Sequence, residues 1–157
     1  MAETRYGIRV DEYSLHTDGA GAGEYRGGSG CVRTYRSMND NQSFTASFGR
    51  NKWPVWGAAG GKDGSINYFE FHDADGTVSG PMGIVARRVM NKDDVVRMVT
   101  ATGGGYGDPM KRDPAKVAMD VKNEYITLEQ AKADYGVIVD PESFDVVGLT
   151  PEREAAK

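Results

Sequence analysis

The sequence predicts a mainly β protein: a single barrel- or sandwich-like domain with two short helices near the C-terminus. Three observations lead to this prediction. Segments in which apolar and polar residues alternate recur along the first two thirds of the chain, and a period of two is typical of strands. Glycine makes up 21 of the 157 residues, well above its usual share of about 7%. Helix-capping signals stand only in the last third of the chain.

The predicted strands follow one another at short intervals. Residues 4–15 form the first extended segment, with apolar residues at alternate positions. A turn signal at 39–41 separates the segments 31–38 and 43–49, so we expect these two segments to pair as a hairpin. The remaining predicted strands cover residues 65–72, an extended stretch from 77, and residues 84–90, 95–101 and 137–139.

Two helices are predicted after these strands. The first covers residues 114–121, with Asp113 as its N-cap and proline at its first position. The second covers residues 128–135, where Thr127 and Gln130 form a capping box. We expect one β domain over residues 1–139. Residues 140–157 are expected to be an extension that docks on a partner, because several of its side chains are too apolar for a tail in solvent.

Glycine is concentrated in two blocks, residues 19–30 and 103–107. Glycine-rich loops can bind phosphate, but the Gly60-Gly61-Lys62 segment lacks the glycine and the Ser or Thr that a P-loop requires at fixed spacing. The interpretation that we favour is structural, since glycine permits positive φ angles and close approach of backbone segments. Valine at Gly28 or Gly104 is then expected to disrupt folding or assembly. An anion-binding nest of N–H groups is the alternative.

Composition limits the classes of function. The net charge of −4 argues against a nucleic-acid partner. No apolar segment approaches the roughly 20 residues that span a membrane, and the N-terminus does not resemble a signal peptide. The lone cysteine, Cys31, cannot form an internal disulfide, and we expect a cytoplasmic protein.

The residues offer little chemistry of their own. With two histidines and one cysteine, a nucleophile, its base and an orienting group are hard to assemble, so we expect no catalytic, cofactor-binding or metal-binding residue in this chain. Two interpretations of His16 stay open: a general base, or more simply a hydrogen-bonded loop residue. The acidic segment 73–76 indicates a turn rather than a calcium loop. Trp53 and Trp56 either cap the protein's own core or anchor a partner.

Arginine residues 26, 33, 36 and 50 are expected to gather on one sheet edge. Two interpretations of such an edge stay open. One is a solvated or salt-bridged face, and the other is ion pairing with a partner chain, since arginine is favoured at protein interfaces.

Four linked motifs resemble the C-terminal part of the hydantoinase B/oxoprolinase family. They lie at residues 18–28, 50–61, 100–109 and 120–137, in the family's order and spacing. The third motif departs from the family pattern, since Ala101 and Thr102 replace Pro-Gly. The candidates for a structural or interface role that these motifs contain are Asp18, Gly21, Gly23, Tyr25, Arg26, Gly27, Gly28, Arg50, Trp53, Trp56, Gly103, Gly104, Tyr106 and Asp108.

The resemblance implies a small accessory subunit. Full-length family members carry a long segment before this part, whereas this chain begins with Met1 just ahead of it, so we expect the family's chain to be split into subunits. The implied partners are larger hydantoinase B-like and hydantoinase A-like subunits, which would hold ATP and magnesium. A split of this kind resembles the acetophenone carboxylases, which implies biotin-independent, ATP-dependent carboxylation of a ketone by bicarbonate. An ATP-dependent cyclic-amide hydrolase of the hydantoinase or oxoprolinase type and a free-standing ligand-binding module are the alternatives.

Overall fold

A computed structural model describes residues 2–17 and 19–155. The helices are α1 (Ala2–Tyr6), α2 (Pro114–Lys122), α3 (Leu128–Tyr135) and α4 (Pro151–Ala155), with a 3-10 turn at Pro109–Lys111. The strands are β1 (Ile8–His16), β2 (Gly30–Ser37), β3 (Gln42–Ser47), β4 (Tyr68–His72), β5 (Val78–Met82), β6 (Ile84–Met90), β7 (Val95–Val99), β8 (Val137–Val139) and β9 (Val146–Leu149).

These elements form two compact units that alternate along the sequence. The first unit consists of residues 2–16, 30–53 and 66–101, and it contains α1 and the strands β1 to β7. The second unit consists of residues 17, 19–29, 54–65 and 102–155, and it contains the remaining helices and the hairpin of β8 and β9.

The first unit is a two-layer, sandwich-like structure. Its larger layer is an antiparallel sheet with the strand order β1-β2-β7-β4-β5, and its smaller layer pairs β3 with β6. The side chain of Phe44 on β3 meets Phe69 and Phe71 of β4 edge-on, at ring-centre distances of 5.8 and 5.5 Å. Both β4 rings are fully buried because they stand at alternate positions on one face of the strand. The mainly β prediction is confirmed, and the sheets are not closed into a barrel.

The predicted hairpin of residues 31–38 and 43–49 is wrong. Strand β2 pairs with β1 and β7, whereas β3 pairs with β6 in the other layer. The turn at 39–41, where Asn41 has a φ of 57°, leads the chain from one layer to the other. The alternating pattern is the same in both arrangements, so it could not distinguish a hairpin partner from a strand in the opposite layer.

The first extended segment begins later than predicted. Residues 2–6 form the helix α1, and Gly7 separates that helix from β1 with a φ of 60°. A positive φ costs an L-residue free energy, so a glycine suits this change of direction.

In the second unit, α2 and α3 pack with β8 and β9 around a core that includes Val117, Ala131, Tyr135 and Val137. The helix prediction is confirmed in detail. Asp113 accepts a hydrogen bond from the Ala115 N–H, and both bonds of the Thr127–Gln130 capping box are present. Residues of the predicted C-terminal extension pair with β8 of this chain, and its docking on a partner stays a prediction.

Candidate functional site

Three loop segments of the second unit interlock through their backbones. We call residues 19–28, 55–64 and 102–107 the glycine junction. Each segment bonds to both of the others: the Gly21 N–H donates to the Gly103 carbonyl at 2.9 Å, the Ala58 N–H to Gly105 at 2.9 Å, and the Lys62 N–H to Ala22 at 2.7 Å. No strand pattern in the sequence marks this region, because these bonds join irregular loops rather than a regular ladder.

Close approach of the backbones explains why these loops need glycine. A Cβ atom built on Gly104 would stand 2.2 Å from the Trp56 carbonyl oxygen, and one on Gly27 would stand 2.0 Å from that of Gly103. Cβ atoms on Gly21 and Gly23 would likewise meet backbone atoms within 3 Å. Real Cβ atoms do not come this close to other heavy atoms. The structural interpretation of these glycines therefore has a steric basis.

The same bonds argue against the anion-binding nest. A nest needs backbone N–H groups that point at the ligand. The N–H groups of Gly21, Gly103 and Gly105 instead donate to carbonyl oxygens within the junction, at 2.8 to 2.9 Å. These donors are therefore not available to a phosphate.

Gly28 differs from the other junction glycines. Its carbonyl accepts a bond from the Gly103 N–H at 2.8 Å, but a Cβ atom on Gly28 would meet nothing within 4 Å. This position therefore has room for a small side chain, and the geometry gives no steric basis for the disruption that was expected from a substitution here.

Arg26 connects the junction to α2 through a shared carboxylate. Asp120 lies 2.8 Å from Arg112 and 3.4 Å from Arg26, and all three side chains are less than 15% exposed. Arg112 also donates to the Glu24 carbonyl at 2.9 Å, and the Arg26 guanidinium lies 4.8 Å from the centre of the Tyr125 ring. Arg26 therefore takes part in an ion pair within this chain. From the sequence alone, ion pairing with a partner chain was an open alternative for this residue.

A further buried arginine, Arg153, holds the helix α4. Arg153 of α4 is 4% exposed, and its guanidinium donates to the carbonyls of Tyr135 and Arg112. The side chain of Tyr135 is buried nearby, and burial raises the pKa of its hydroxyl above the ordinary value of 10.0. That hydroxyl has no hydrogen-bond partner among the described residues.

An aromatic surface stands on the junction. Tyr25, Trp56 and Tyr106, which we call the aromatic surface, are 63%, 71% and 58% exposed. The backbones of Tyr25 and Tyr106 exchange two hydrogen bonds of 2.9 Å, and their ring centres lie 6.3 Å apart. The backbone of Trp56 lies against Gly104. Large exposed aromatics on a bonded backbone have the character of partner anchors, because such a backbone has little conformational freedom left to lose on binding.

The other predicted candidates have separate positions. Asp18 lies outside the described residues. Arg50 and Trp53 belong to the first unit, where Trp53 is 79% exposed; with Trp56 also exposed, neither indole caps a core in this chain. Asp108 accepts a bond from the Met110 N–H and caps the 3-10 turn.

The predicted arginine edge does not form. Arg33 and Arg36 stand on β2, an inner strand of the five-stranded sheet, and an odd spacing places them on opposite faces. Arg36 pairs with Asp11 at 2.7 Å, and Arg26 lies in the other unit.

The candidates for chemistry are engaged in structural contacts. The Nδ1 atom of His16 lies 3.0 Å from the Thr100 carbonyl oxygen, which only accepts, so this nitrogen carries the proton. The turn predicted at 73–76 is present.

Residues 2–17 and 19–155 hold no cluster of three His, Cys, Asp or Glu side chains that could bind a metal. None of the described helices is both long and apolar enough to cross a lipid bilayer.

The buried charges around Asp120 were not predicted from the sequence. A signal was available on α2, where Asp120 follows Val117 by three residues and so shares the face that a helix buries. A carboxylate on that face predicts a buried ion pair. Arg112 and Arg153 carried no such signal, because they stand outside α2 and α3.

Comparisons with known proteins agree with the motifs. A model of the hydantoinase B/oxoprolinase family matches residues 1–109. The putative D-/L-hydantoinase B subunit of Pseudomonas sp. (strain NS671) is 33% identical over 146 residues, which is 91% of this chain and 24% of that protein. The beta subunit of the caprolactamase of Pseudomonas jessenii is 31% identical over 144 residues, 89% of this chain and 25% of that protein. The chain therefore spans about a quarter of the length of these relatives.

Two solved structures share the fold. A crystal structure of ATP-dependent caprolactamase from Pseudomonas jessenii superposes with a TM-score of 0.75 at 29% identity, over 98% of this chain and 26% of that chain. A nucleotide-free structure of acetone carboxylase superposes with a TM-score of 0.72 over 96% of this chain and 24% of that chain. Its 18% identity makes it evidence for the fold alone.

Proposed function

This chain belongs to the hydantoinase B/oxoprolinase family, and from that membership we propose that it is an accessory module that completes a larger ATP-dependent enzyme. The observation that carries the proposal is the aromatic surface on the glycine junction. Three exposed aromatic residues stand on loops whose backbones are bonded to one another. Such a surface is suited to holding a partner in a defined orientation rather than to closing over a small substrate.

The proposed partners are a larger hydantoinase B-like part and a hydantoinase A-like subunit. The relatives named above are about four times as long as the aligned region, so most of a hydantoinase B-type protein lies beyond what this chain matches. In this proposal the partners hold ATP and magnesium and carry the reacting groups, and the complex works in the cytoplasm. The buried ion pairs of Asp120 would keep the junction in one conformation while the partners act.

The substrate class that we propose first is a cyclic amide. The relatives at 29 to 33% identity are named for hydantoin and caprolactam, which are both cyclic amides. Coupling the opening of such a ring to ATP hydrolysis would make the overall reaction more favourable. This order reverses the one that the sequence motifs alone favoured.

Carboxylation of a ketone is the second candidate. It is supported by the resemblance to the acetophenone carboxylases and by the fold that this chain shares with acetone carboxylase. At 18% identity, the shared fold is not evidence that the two proteins take part in the same reaction.

An assay of the assembled complex separates the two candidates. The chain is co-expressed with the hydantoinase B-type and hydantoinase A-type subunits of its own organism, and phosphate release from ATP is measured with hydantoin, with caprolactam, and with acetophenone plus bicarbonate. We expect a cyclic amide to stimulate ATP hydrolysis and to give a ring-opened product. Stimulation by the ketone and bicarbonate alone would replace the first candidate with the second.

A further inference from the structure

The smaller layer of the first unit has an unpaired edge. Its strand order is β3-β6, so β3 has one neighbouring strand among the described residues. An edge strand presents N–H and C=O groups that another strand can pair with, and proteins usually blunt or cover such edges. The outward side chains of β3 are the small polar groups of Ser43, Thr45 and Ser47, which offer neither a proline nor a charge that would block pairing.

An open groove lies beside this edge. It has a volume of about 370 Å³ and is bounded by β3 on one side, with residues of β1, β2 and β7 beneath. Most of its lining is apolar, and it includes Ile8, Tyr35, Phe44 and Met98. The five-stranded layer is wider than the two-stranded layer above it, which leaves this groove where a third strand of the smaller layer would lie.

The floor next to the groove is an uncovered apolar face. Val10, Tyr13 and Leu15 of β1 stand opposite Tyr35, Arg33 and Cys31 of β2, so these side chains share one face of the sheet. That face is the one turned toward the smaller layer, since Tyr35 packs on the core that Phe44 joins. Tyr13 and Leu15 are nevertheless 68% and 61% exposed.

A positive charge marks the same face. The Arg33 guanidinium lies 4.6 Å from the centre of the Tyr13 ring and donates to the Tyr13 hydroxyl. It is exposed, and none of the ion pairs within residues 2–17 and 19–155 involves it. A segment that covers this face would therefore bring alternate apolar side chains and a carboxylate for Arg33.

We infer that the larger part of the hydantoinase B-type protein places an extended segment beside β3, which pairs with the free edge of β3 and covers the apolar face of β1. The inference rests on the proposed function, because the relatives extend far beyond the quarter of their length that this chain matches. Strand addition of this kind takes its affinity from backbone hydrogen bonds and its specificity from alternate side chains. A partner segment of about six residues matches the length of β3.

The first test is amide hydrogen exchange of the full chain, alone and in complex with the hydantoinase B-type subunit of its own organism. We expect peptides that cover β3 to exchange at least tenfold more slowly in the complex. An assembled, ATP-hydrolysing complex in which β3 exchanges as fast as in the free chain would overturn the inference and leave the proposed function intact. Failure of the wild-type chain to bind that subunit at all would overturn both.

The second test uses exposed positions whose substitution leaves the fold unstrained. Leu15→Lys places a charge on the apolar face, and Val78→Lys places the same charge on β5, at the opposite edge of the sheet, where Val78 is 62% exposed. We expect Leu15→Lys to weaken binding of the large subunit at least tenfold and Val78→Lys to leave it within a factor of two. Equal binding by both variants would contradict the inference. Slowed exchange in β3 that depends on the concentration of the isolated chain would identify a second copy as the occupant and would also overturn it.

Discussion

At Gly104 the Trp56 carbonyl leaves no room for a methyl group, whereas Gly28 faces open space. The sequence around the two glycines does not distinguish them. Both stand in dense glycine blocks, and the sequence motif treats them alike. The difference arises from which backbone passes over each Cα atom, and that depends on the tertiary arrangement of three distant loops. Composition therefore indicated that glycine matters in these blocks, but it could not indicate which glycine matters.

We expect Gly104→Ala to destabilise the protein by about 3 kcal/mol, because its Cβ would overlap backbone atoms that cannot rotate away. Thermal unfolding should then occur on the order of 10 °C lower than in the wild type. Gly28→Ala is the matched control and should stay within about 0.5 kcal/mol, since Gly28 has open space and does not have a positive φ. Equal melting temperatures for the two variants would contradict the steric account of the junction.

Tyr135 gives a prediction for alkaline pH. Burial raises the pKa of its hydroxyl in the folded protein above the value of 10.0 that it regains on unfolding. Between these two pKa values the unfolded chain has lost the proton and the folded chain has kept it, so the free energy of unfolding falls as pH rises above about 10. Below pH 10 this contribution to stability is fully present.

The measurement is urea unfolding of the wild type and of Tyr135→Phe across this pH range. We expect a steeper loss of stability with pH in the wild type. The phenylalanine variant should fold normally, because the hydroxyl has no hydrogen-bond partner among the described residues. Parallel pH profiles for the two proteins would show that the hydroxyl ionises without penalty.

At the scale of elements, the sequence predicted features that depend on neighbouring residues correctly, but it did not predict which distant strands pair. The caps of α2 and α3 were predictable because capping depends on a few neighbouring residues, and the structure places Asp113 and Thr127 as expected. The partner of β3 was not predictable, because alternation specifies a face of a strand and leaves its neighbour open. The sequence contains no strong signal for the short helix α4. In the structure, the buried Arg153 of α4 bonds this helix to the rest of the second unit.

We expect Arg153→Ala to release α4 from the second unit. Its guanidinium donates to two carbonyl oxygens, and bonds from a charged donor each contribute about 1.5 to 3 kcal/mol. The variant should lose roughly 3 kcal/mol of stability and show faster amide exchange in β8 and β9. Glu154→Ala, at an exposed neighbouring position, is the control and should behave as the wild type. Unchanged exchange in Arg153→Ala would mean that α4 is held by other contacts.

At the scale of the whole molecule, the fold class and the family were within reach of the sequence, because the four motifs have a specific order and spacing. The reaction was not, since this chain corresponds to about a quarter of its relatives and the same fold occurs in a caprolactamase and in an acetone carboxylase. What the structure adds is a physical role for the motifs: the glycines bring three loops together, and the aromatic residues between them stay exposed.

The most direct test of this role is the dissociation constant of the chain and the hydantoinase B-type subunit of its own organism, measured for the wild type and for the double variant Trp56→Ala, Tyr106→Ala. We expect a stable wild-type complex and at least a 30-fold weaker one for the double variant, because a buried aromatic anchor contributes about 2 kcal/mol or more. Val78→Ala, which shortens an exposed apolar side chain of β5 in the first unit, should bind as the wild type does. A wild-type chain that stays monomeric in the presence of that large subunit, or a double variant that binds equally well, would contradict the account.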